Sequence, residues 1–144
     1  MRVESIMKQP QSCSDKDTAS DCATLMKERN IGFVPICNGA GQPVGAITDR
    51  DLAIRVLAER RSPDTKLGNV MTRDVVCCQI GDDLSAAEQL MRDHHKARMM
   101  VCDGGGKLAG VISLSDIVEF EEESTATRTF RDVAARETQQ PHAS

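Results

Sequence analysis

The sequence predicts an α/β (α+β) fold made of two pseudo-symmetric repeats, each with strands and two helices, packed into one module. Three observations predict it. A phrase that closes an apolar run with a hydroxyl residue, then places aspartate three positions later, occurs twice. It reads Gly45-Ala46-Ile47-Thr48-Asp49-Arg50-Asp51 and Gly110-Val111-Ile112-Ser113-Leu114-Ser115-Asp116. Ser113 follows Thr48 by 65 residues, and that offset also carries Asp17 onto Asp82, Leu25-Met26 onto Leu90-Met91, Cys37 onto Cys102 and Gly41 onto Gly106. With one residue of slippage, Ser5-Ile6-Met7 falls on Asn69-Val70-Met71 and Cys13 on Cys77. A period this long marks a supersecondary unit built twice.

The elements follow in order. Val3/Ile6/Met7 and Leu67/Val70/Met71 space apolar groups at i, i+3, i+4, a helical turn able to clamp onto a neighbour. The first helix of the first repeat carries Ala19, Cys22, Ala23, Leu25 and Met26. Its counterpart carries Leu84, Ala87, Leu90 and Met91, with Asp82-Asp83 and Ser85 as candidate N-terminal caps. Strands are expected at Phe33–Cys37 and Arg98–Cys102, then at Val44–Thr48 and Leu108–Ser113. The turns between them, Asn38-Gly39-Ala40-Gly41 and Asp103-Gly104-Gly105-Gly106, are rich in residues that tolerate positive φ. Met99-Met100 replaces Val34-Pro35 in the second repeat. The closing helix Asp51–Glu59 has Leu52, Val56 and Leu57 on one side and Ile54 and Ala58 on another, so more than its own sheet must cover it; a homodimer through the closing helices is expected. The first repeat is placed at 2–60, a linker at 61–66, the second repeat at 67–123 and a tail at 124–144. In the tail, Ala126, Phe130, Val133 and Ala134 could form a short amphipathic helix that docks on a partner.

Composition narrows the function. A chain of 144 residues buries roughly 70% of its unfolded surface, whereas half of it would be marginal alone, so the repeats should share a core. A net charge of −4 argues against a nucleic-acid or membrane partner, and with no Trp or Tyr there is no base-stacking platform. No apolar run reaches the length of a membrane span and no signal-peptide pattern opens the chain, so a cytoplasmic location is expected. Six cysteines without a C-x-x-C pair read as reduced core residues that follow the repeat. His94-His95 at a helix end lacks companions for a metal site, and no P-loop or nucleophile–base arrangement stands out. Asp49 and Asp51, two apart at a helix start, point different ways and form no catalytic pair.

Taken singly, Thr-x-x-Asp and Ser-x-x-Asp at a strand-to-helix junction are capping boxes. Their doubling inside a longer repeat, just past the carboxyl end of a strand, also suits a ligand site. With Val70-Met71-Thr72, the Gly32–Ile36 strand Gly-Phe-Val-Pro-Ile, the glycine turn and Gly-x-Ile-Thr-x-x-Asp in order, residues 2–123 resemble the cystathionine-β-synthase (CBS) domain family in its tandem form, the Bateman module. The resemblance implies a small mixed sheet with two helices in each repeat. It also implies a regulatory module binding adenosine-containing ligands (AMP, ADP or ATP, or else NAD or S-adenosylmethionine) between the repeats, with no cofactor required for catalysis. Thr48 and Asp51 would then face Val75, Val76 and Arg98, and Ser113 and Asp116 would face Gln11, Ser12, Gly32 and Phe33. Ile47 or Ile112 would pack on the adenine. A carboxylate, acceptor-only, suits the two donors of a ribose diol. Arg50 and Arg98, with Lys8 and Lys96 behind them, are the candidate phosphate ligands, and Arg50 makes the Asp51 site the expected phosphate site. The output would go to an unknown effector protein. A structural dimer with two helix caps and no ligand is the alternative, and an enzyme using Asp51 or Asp116 as a base is the third reading.

Overall fold

The structure, a computed structural model, describes residues 1–124. The tail segment with Ala126, Phe130, Val133 and Ala134 lies outside the described residues. A 3₁₀ turn at Val3–Ser5 leads to β1 (Cys13–Ser14), α1 (Ala19–Arg29), β2 (Phe33–Cys37), β3 (Pro43–Thr48) and α2 (Asp49–Asp51). A π-helical segment, Leu52–Leu57, continues α2. The second repeat runs from a 3₁₀ turn at Leu67–Asn69 through β4 (Cys77–Gln79), α3 (Leu84–His94), β5 (Arg98–Cys102) and β6 (Leu108–Ser113) to α4 (Leu114–Ser124).

Each repeat holds a three-stranded mixed sheet, in the orders β1-β2-β3 and β4-β5-β6, with the first pair parallel and the second antiparallel. Register obeys the offset: Phe33 pairs with Thr48 as Arg98 pairs with Ser113, and a bulge interrupts both ladders one residue before the turn, at Ile36/Cys37 and Val101/Cys102. The parallel strands β1 and β4 add one strand per repeat to those read from periodicity. Two or three residues carry no period to read.

The lead-in segments are exchanged between the repeats. Val3, with Ile6 and Met7 against it, packs into the second repeat's core beside Val76, Cys78, Met99 and Ile112. Leu67, Val70 and Met71 pack into the first repeat's core beside Cys22, Val34, Ile36 and Ile47. Backbone bonds fasten each exchange. Lys8 N–H donates to the Val111 carbonyl at 2.8 Å and Val111 returns the bond at 3.0 Å, while Ala46 and Thr72 exchange two bonds of 2.9 Å. This close approach is why both phrases open on glycine. A Cβ on Gly45 would fall 2.6 Å from Met71 Sδ and 2.8 Å from the Thr72 carbonyl. One on Gly110 would fall 2.5 Å from Met7 Sδ and 3.1 Å from the Lys8 carbonyl. The methionine of one repeat thus sits where the other repeat's side chain would be.

The caps follow the same exchange. Thr18 and Asp21 form a capping box on α1, and the Thr65 carbonyl of the connecting segment accepts from Ala19 N–H. In the second repeat the Met1 carbonyl plays Thr65's part and accepts from Leu84 N–H at 2.7 Å. That corrects the expected α3 caps. Asp83 holds the N-cap position but its carboxylate accepts no helix N–H; it takes the Ser85 hydroxyl and the Met1 amine instead. Asp82 accepts from Gln79 N–H, as Asp17 accepts from Ser14 N–H, which explains why this aspartate recurs in both repeats.

The closing helices are unlike. α4 is α-helical, whereas Leu52–Leu57 has the wider π turn, with Ala58 N–H donating to the Ala53 carbonyl five residues back. Leu57 does not share the buried side of Leu52 and Val56, against the sequence expectation. Val56 is buried, Leu52 lies against the core and Leu57 is 74% exposed. All six cysteines are free and five are buried. Burial, with a hydrogen bond to Cys102, pushes the Cys77 thiol up to about 12, and burial pushes Cys78 up to about 11. Both therefore stay protonated and behave as small core residues. No helix among the described residues is long and apolar enough to cross a membrane.

Candidate functional site

Both phrases fold as capping boxes. Thr48 Oγ1 accepts from Asp51 N–H at 3.1 Å, and Asp51 Oδ2 accepts from Thr48 N–H at 2.9 Å. Ser113 Oγ accepts from Asp116 N–H at 3.1 Å, and Asp116 Oδ2 accepts from Ser113 N–H at 3.0 Å. The cap engages one carboxylate oxygen in each case. Asp51 Oδ1 has the Arg55 guanidinium 3.8 Å away on its own helix, and Asp116 Oδ1 has the Lys8 ammonium at 3.1 Å. The box fixes the carboxylate while leaving its second oxygen for other partners.

Each aspartate lines a cleft at the seam between the repeats, of about 230 Å³ for Asp51 and about 300 Å³ for Asp116. These volumes sit near the lower end of small-molecule pockets, roughly 300–1,000 Å³. Phe33 and Arg98 are equivalent by the offset, and both line both clefts. One apolar ring and one guanidinium are therefore shared across the pseudo-twofold seam.

The expected site residues divide between clefts and cores. Thr48, Asp51, Val76 and Arg98 line the first cleft, and Lys8, Gln11, Gly32, Phe33, Ser113 and Asp116 line the second. Ile47 and Ile112 line neither cleft: both are fully buried in the cores. Strand alternation is the reason, since Thr48 and Ala46 share the cleft side of β3 and Ile47 must take the other, as Ile112 does between Val111 and Ser113. Arg50 is exposed in the first turn of α2 and lines neither cleft, so the expected source of phosphate preference at Asp51 is absent from that cleft. Ser12 lines a separate hollow with Cys37 and Asn38, and half-buried Val75 lines neither cleft.

Sequence reasoning missed Thr72 and Asp74 in the first cleft and Glu119 in the second. The 64-residue slippage that aligns the lead-ins also aligns Lys8 with Thr72, so that signal was present. Lys96, 3.7 Å from Asp74, lines the Asp51 cleft. The formal charges balance: Lys96 and Arg98 oppose Asp51 and Asp74 in one cleft, and Lys8 and Arg98 oppose Asp116 and Glu119 in the other. Burial pushes the Asp116 carboxyl up, but Lys8 and the Ser113 amide and hydroxyl outweigh it and hold the group below its ordinary value. The hydrogen bond to Asp116 raises Lys8 in return. Among the described residues no three ligand-type side chains come together as a metal site.

The family model for the CBS domain matches residues 3–58 and again 67–123, and the chain belongs to that family. It is 34% identical over 115 residues to the uncharacterized protein MK0525 of Methanopyrus kandleri, spanning 79% of this chain but 59% of that protein. It is also 34% identical over 104 residues to the CBS domain-containing protein YhcV of Bacillus subtilis, spanning 72% of this chain and 73% of that one. Among solved structures, Hypoxic Response Protein I, crystallised with two coordinated zinc ions, has a TM-score of 0.72 at 26% identity over 83% of this chain and 98% of its own. The CBS domain protein PAE2072 of Pyrobaculum aerophilum, complexed with AMP, shares the fold with a TM-score of 0.71 at 23% identity, over 81% of this chain and 89% of its own.

Proposed function

We propose that this protein is a cytoplasmic regulatory module that binds adenine nucleotides in its two seam clefts and signals to a partner protein by a change in the angle between its repeats. AMP, ADP and ATP are the favoured ligands, with NAD and S-adenosylmethionine as related candidates. The observation that carries the reading is the pair of carboxylates whose caps engage one oxygen each. Each capping box uses Oδ2 and leaves Oδ1 at a cleft lined by both repeats. A diol donating to that oxygen gains charge-assisted hydrogen bonds worth roughly 1.5–3 kcal/mol each. Phe33 supplies an apolar face for a base, and Arg98 with Lys96 or Lys8 supplies cations for phosphate. The AMP complex of PAE2072 supports this choice of ligand.

The module is proposed as a binding protein rather than an enzyme: the hydroxyl beside each aspartate, Thr48 or Ser113, is committed to the helix cap, and the cation beside each, Arg55 or Lys8, pairs with the carboxylate. Its partners include a second copy. Ile54 and Leu57 after the first phrase, and Leu114 within the second and Val118 after it, are exposed apolar groups at the closing helices. A homodimer through these helices would place the dimer contact directly behind the clefts. Light scattering should give twice the chain mass, and Leu57→Asp should return a monomer; a monomeric wild type at micromolar concentration overturns the dimer.

The ligand is tested on purified protein. Without Trp or Tyr, retained nucleotide would dominate the near-ultraviolet spectrum. Thermal shift with AMP, ATP, NAD and S-adenosylmethionine then ranks ligands, because selective binding to the folded state raises stability by mass action. The expected result is a dose-dependent shift with at least one adenine nucleotide, reduced in Asp51→Ala. No shift with any of the four rejects the sensor and leaves the structural dimer.

A further inference from the structure

The two clefts present their aspartates in different states, and one residue makes the difference. Lys8 Nζ stands 3.1 Å from Asp116 Oδ1, the oxygen that the Ser113 cap leaves over. The pair is lopsided: the carboxylate side chain is 10% exposed and the lysine side chain 71%. Lys8 comes from the lead-in of the other repeat and is held in register by its two backbone bonds to Val111. In the Asp51 cleft the equivalent position is Thr72, which carries no charge. The cation nearest Asp51 is Arg55, 3.8 Å away, whose Nη1 is bonded to the Val70 carbonyl at 2.9 Å. A ribose diol therefore meets Asp51 without displacing a hydrogen-bonded cation, but must displace Lys8 to reach Asp116 Oδ1.

We propose that Lys8 is a specificity-determining residue that sharpens the Asp116 cleft's preference for phosphorylated over free nucleosides beyond that of the Asp51 cleft. The inference rests on the proposed binding of ribose by Asp116. A free nucleoside offers the displaced ammonium nothing but water, so it competes against the ion pair without compensation. A nucleotide brings its own anion, and the exchange becomes diol for ammonium at Asp116 and phosphate for carboxylate at Lys8. Glu119 also lines the cleft and adds a smaller electrostatic share to the raising of Lys8, after that of Asp116. Because Lys8 is largely exposed, the effect is one of selectivity at moderate ionic strength and weakens with salt.

The test isolates the Asp116 cleft with Asp51→Asn and measures AMP and adenosine affinities by calorimetry, with and without Lys8→Thr, which imports the chemistry of Thr72. The AMP-to-adenosine affinity ratio should fall about tenfold in Lys8→Thr, by tighter adenosine and weaker AMP, and persist in Lys8→Arg. A reciprocal variant, Thr72→Lys on an Asp116→Asn background, should raise the ratio at the Asp51 cleft. An unchanged ratio in Lys8→Thr, or equal weakening of both compounds, overturns the proposal while leaving the nucleotide reading intact. If Asp51→Asn protein binds neither compound although wild type does, the Asp116 cleft is not a site and the proposal falls. If wild type binds neither, both readings fall together.

Discussion

The Asp51 and Asp116 clefts share a capping box, a seam position and the Phe33–Arg98 pair, yet they differ in what stands against the acid. One faces Thr72 and, 3.8 Å away, an arginine of its own helix that is bonded to the Val70 carbonyl; the other is engaged by Lys8 from the opposite repeat. The helices behind them differ as well, π-helical after Asp51 and α-helical from Leu114. The comparison teaches that duplication preserved what the fold needs, namely the hydroxyl–aspartate caps of the two phrases, the strand register and the glycine–methionine contact. Divergence reached the core, where Met99-Met100 stands for Val34-Pro35, and also the clefts, where Thr72 stands for Lys8.

The largest effect that could break this comparison is at the shared contact. Gly45→Ala and Gly110→Ala should each destabilise the protein by about 1–3 kcal/mol, since each added methyl meets a methionine and a backbone carbonyl that cannot both move. Urea denaturation should give similar losses for the two; a neutral result at either would show that the lead-in there is not held by close packing. Next come the caps. Thr48→Ala and Ser113→Ala should each cost about 1 kcal/mol, equally in both repeats, as read from thermal melting.

The smallest effect is electrostatic and should appear on one side alone. Asp116 is held below its unfolded value, so its ionised form contributes stability at pH above about 4 and loses that contribution as pH falls through the folded pKa. Lys8 is raised, so its share is complete below the unfolded lysine value and is lost only as pH rises through the higher folded one. At neutral pH the pair is intact from both sides. Carboxyl-resolved NMR titration of the ligand-free protein should show the Asp116 midpoint move upward in Lys8→Thr. An Asp116 midpoint insensitive to Lys8 would remove the asymmetry.

Much of the fold was legible because duplication writes each element twice. The strands at Phe33–Cys37 and Arg98–Cys102, the glycine turns and the recurrent phrase all stand out as matched pairs. The site was half legible. The hydroxyl and aspartate of each phrase could be placed at a strand-to-helix junction, but the assignment of Ile47 and Ile112 to the ligand came from resemblance and ran against strand alternation. Arg50 was chosen for its place in the phrase, although a residue between hydroxyl and acid in a helical turn need not share their face. The π segment was illegible, since Leu52–Leu57 has the composition of an ordinary apolar helix and only packing selects the wider turn. Lys8 was visible as a nearby cation; its bond to Asp116 depends on the exchanged lead-in, a long-range arrangement that no local pattern encodes.

The central claim is that Asp51 and Asp116 each grip a ribose diol with the oxygen their caps leave over. Calorimetric titration with AMP of wild type and of the Asp51→Asn/Asp116→Asn double variant tests it most directly, because asparagine retains an oxygen for the cap and loses the charged acceptor pair. The account predicts binding at both clefts in wild type and an affinity loss of about 10- to 100-fold or more per cleft in the double variant, with melting temperature nearly unchanged. AMP bound by the double variant with wild-type affinity would contradict it.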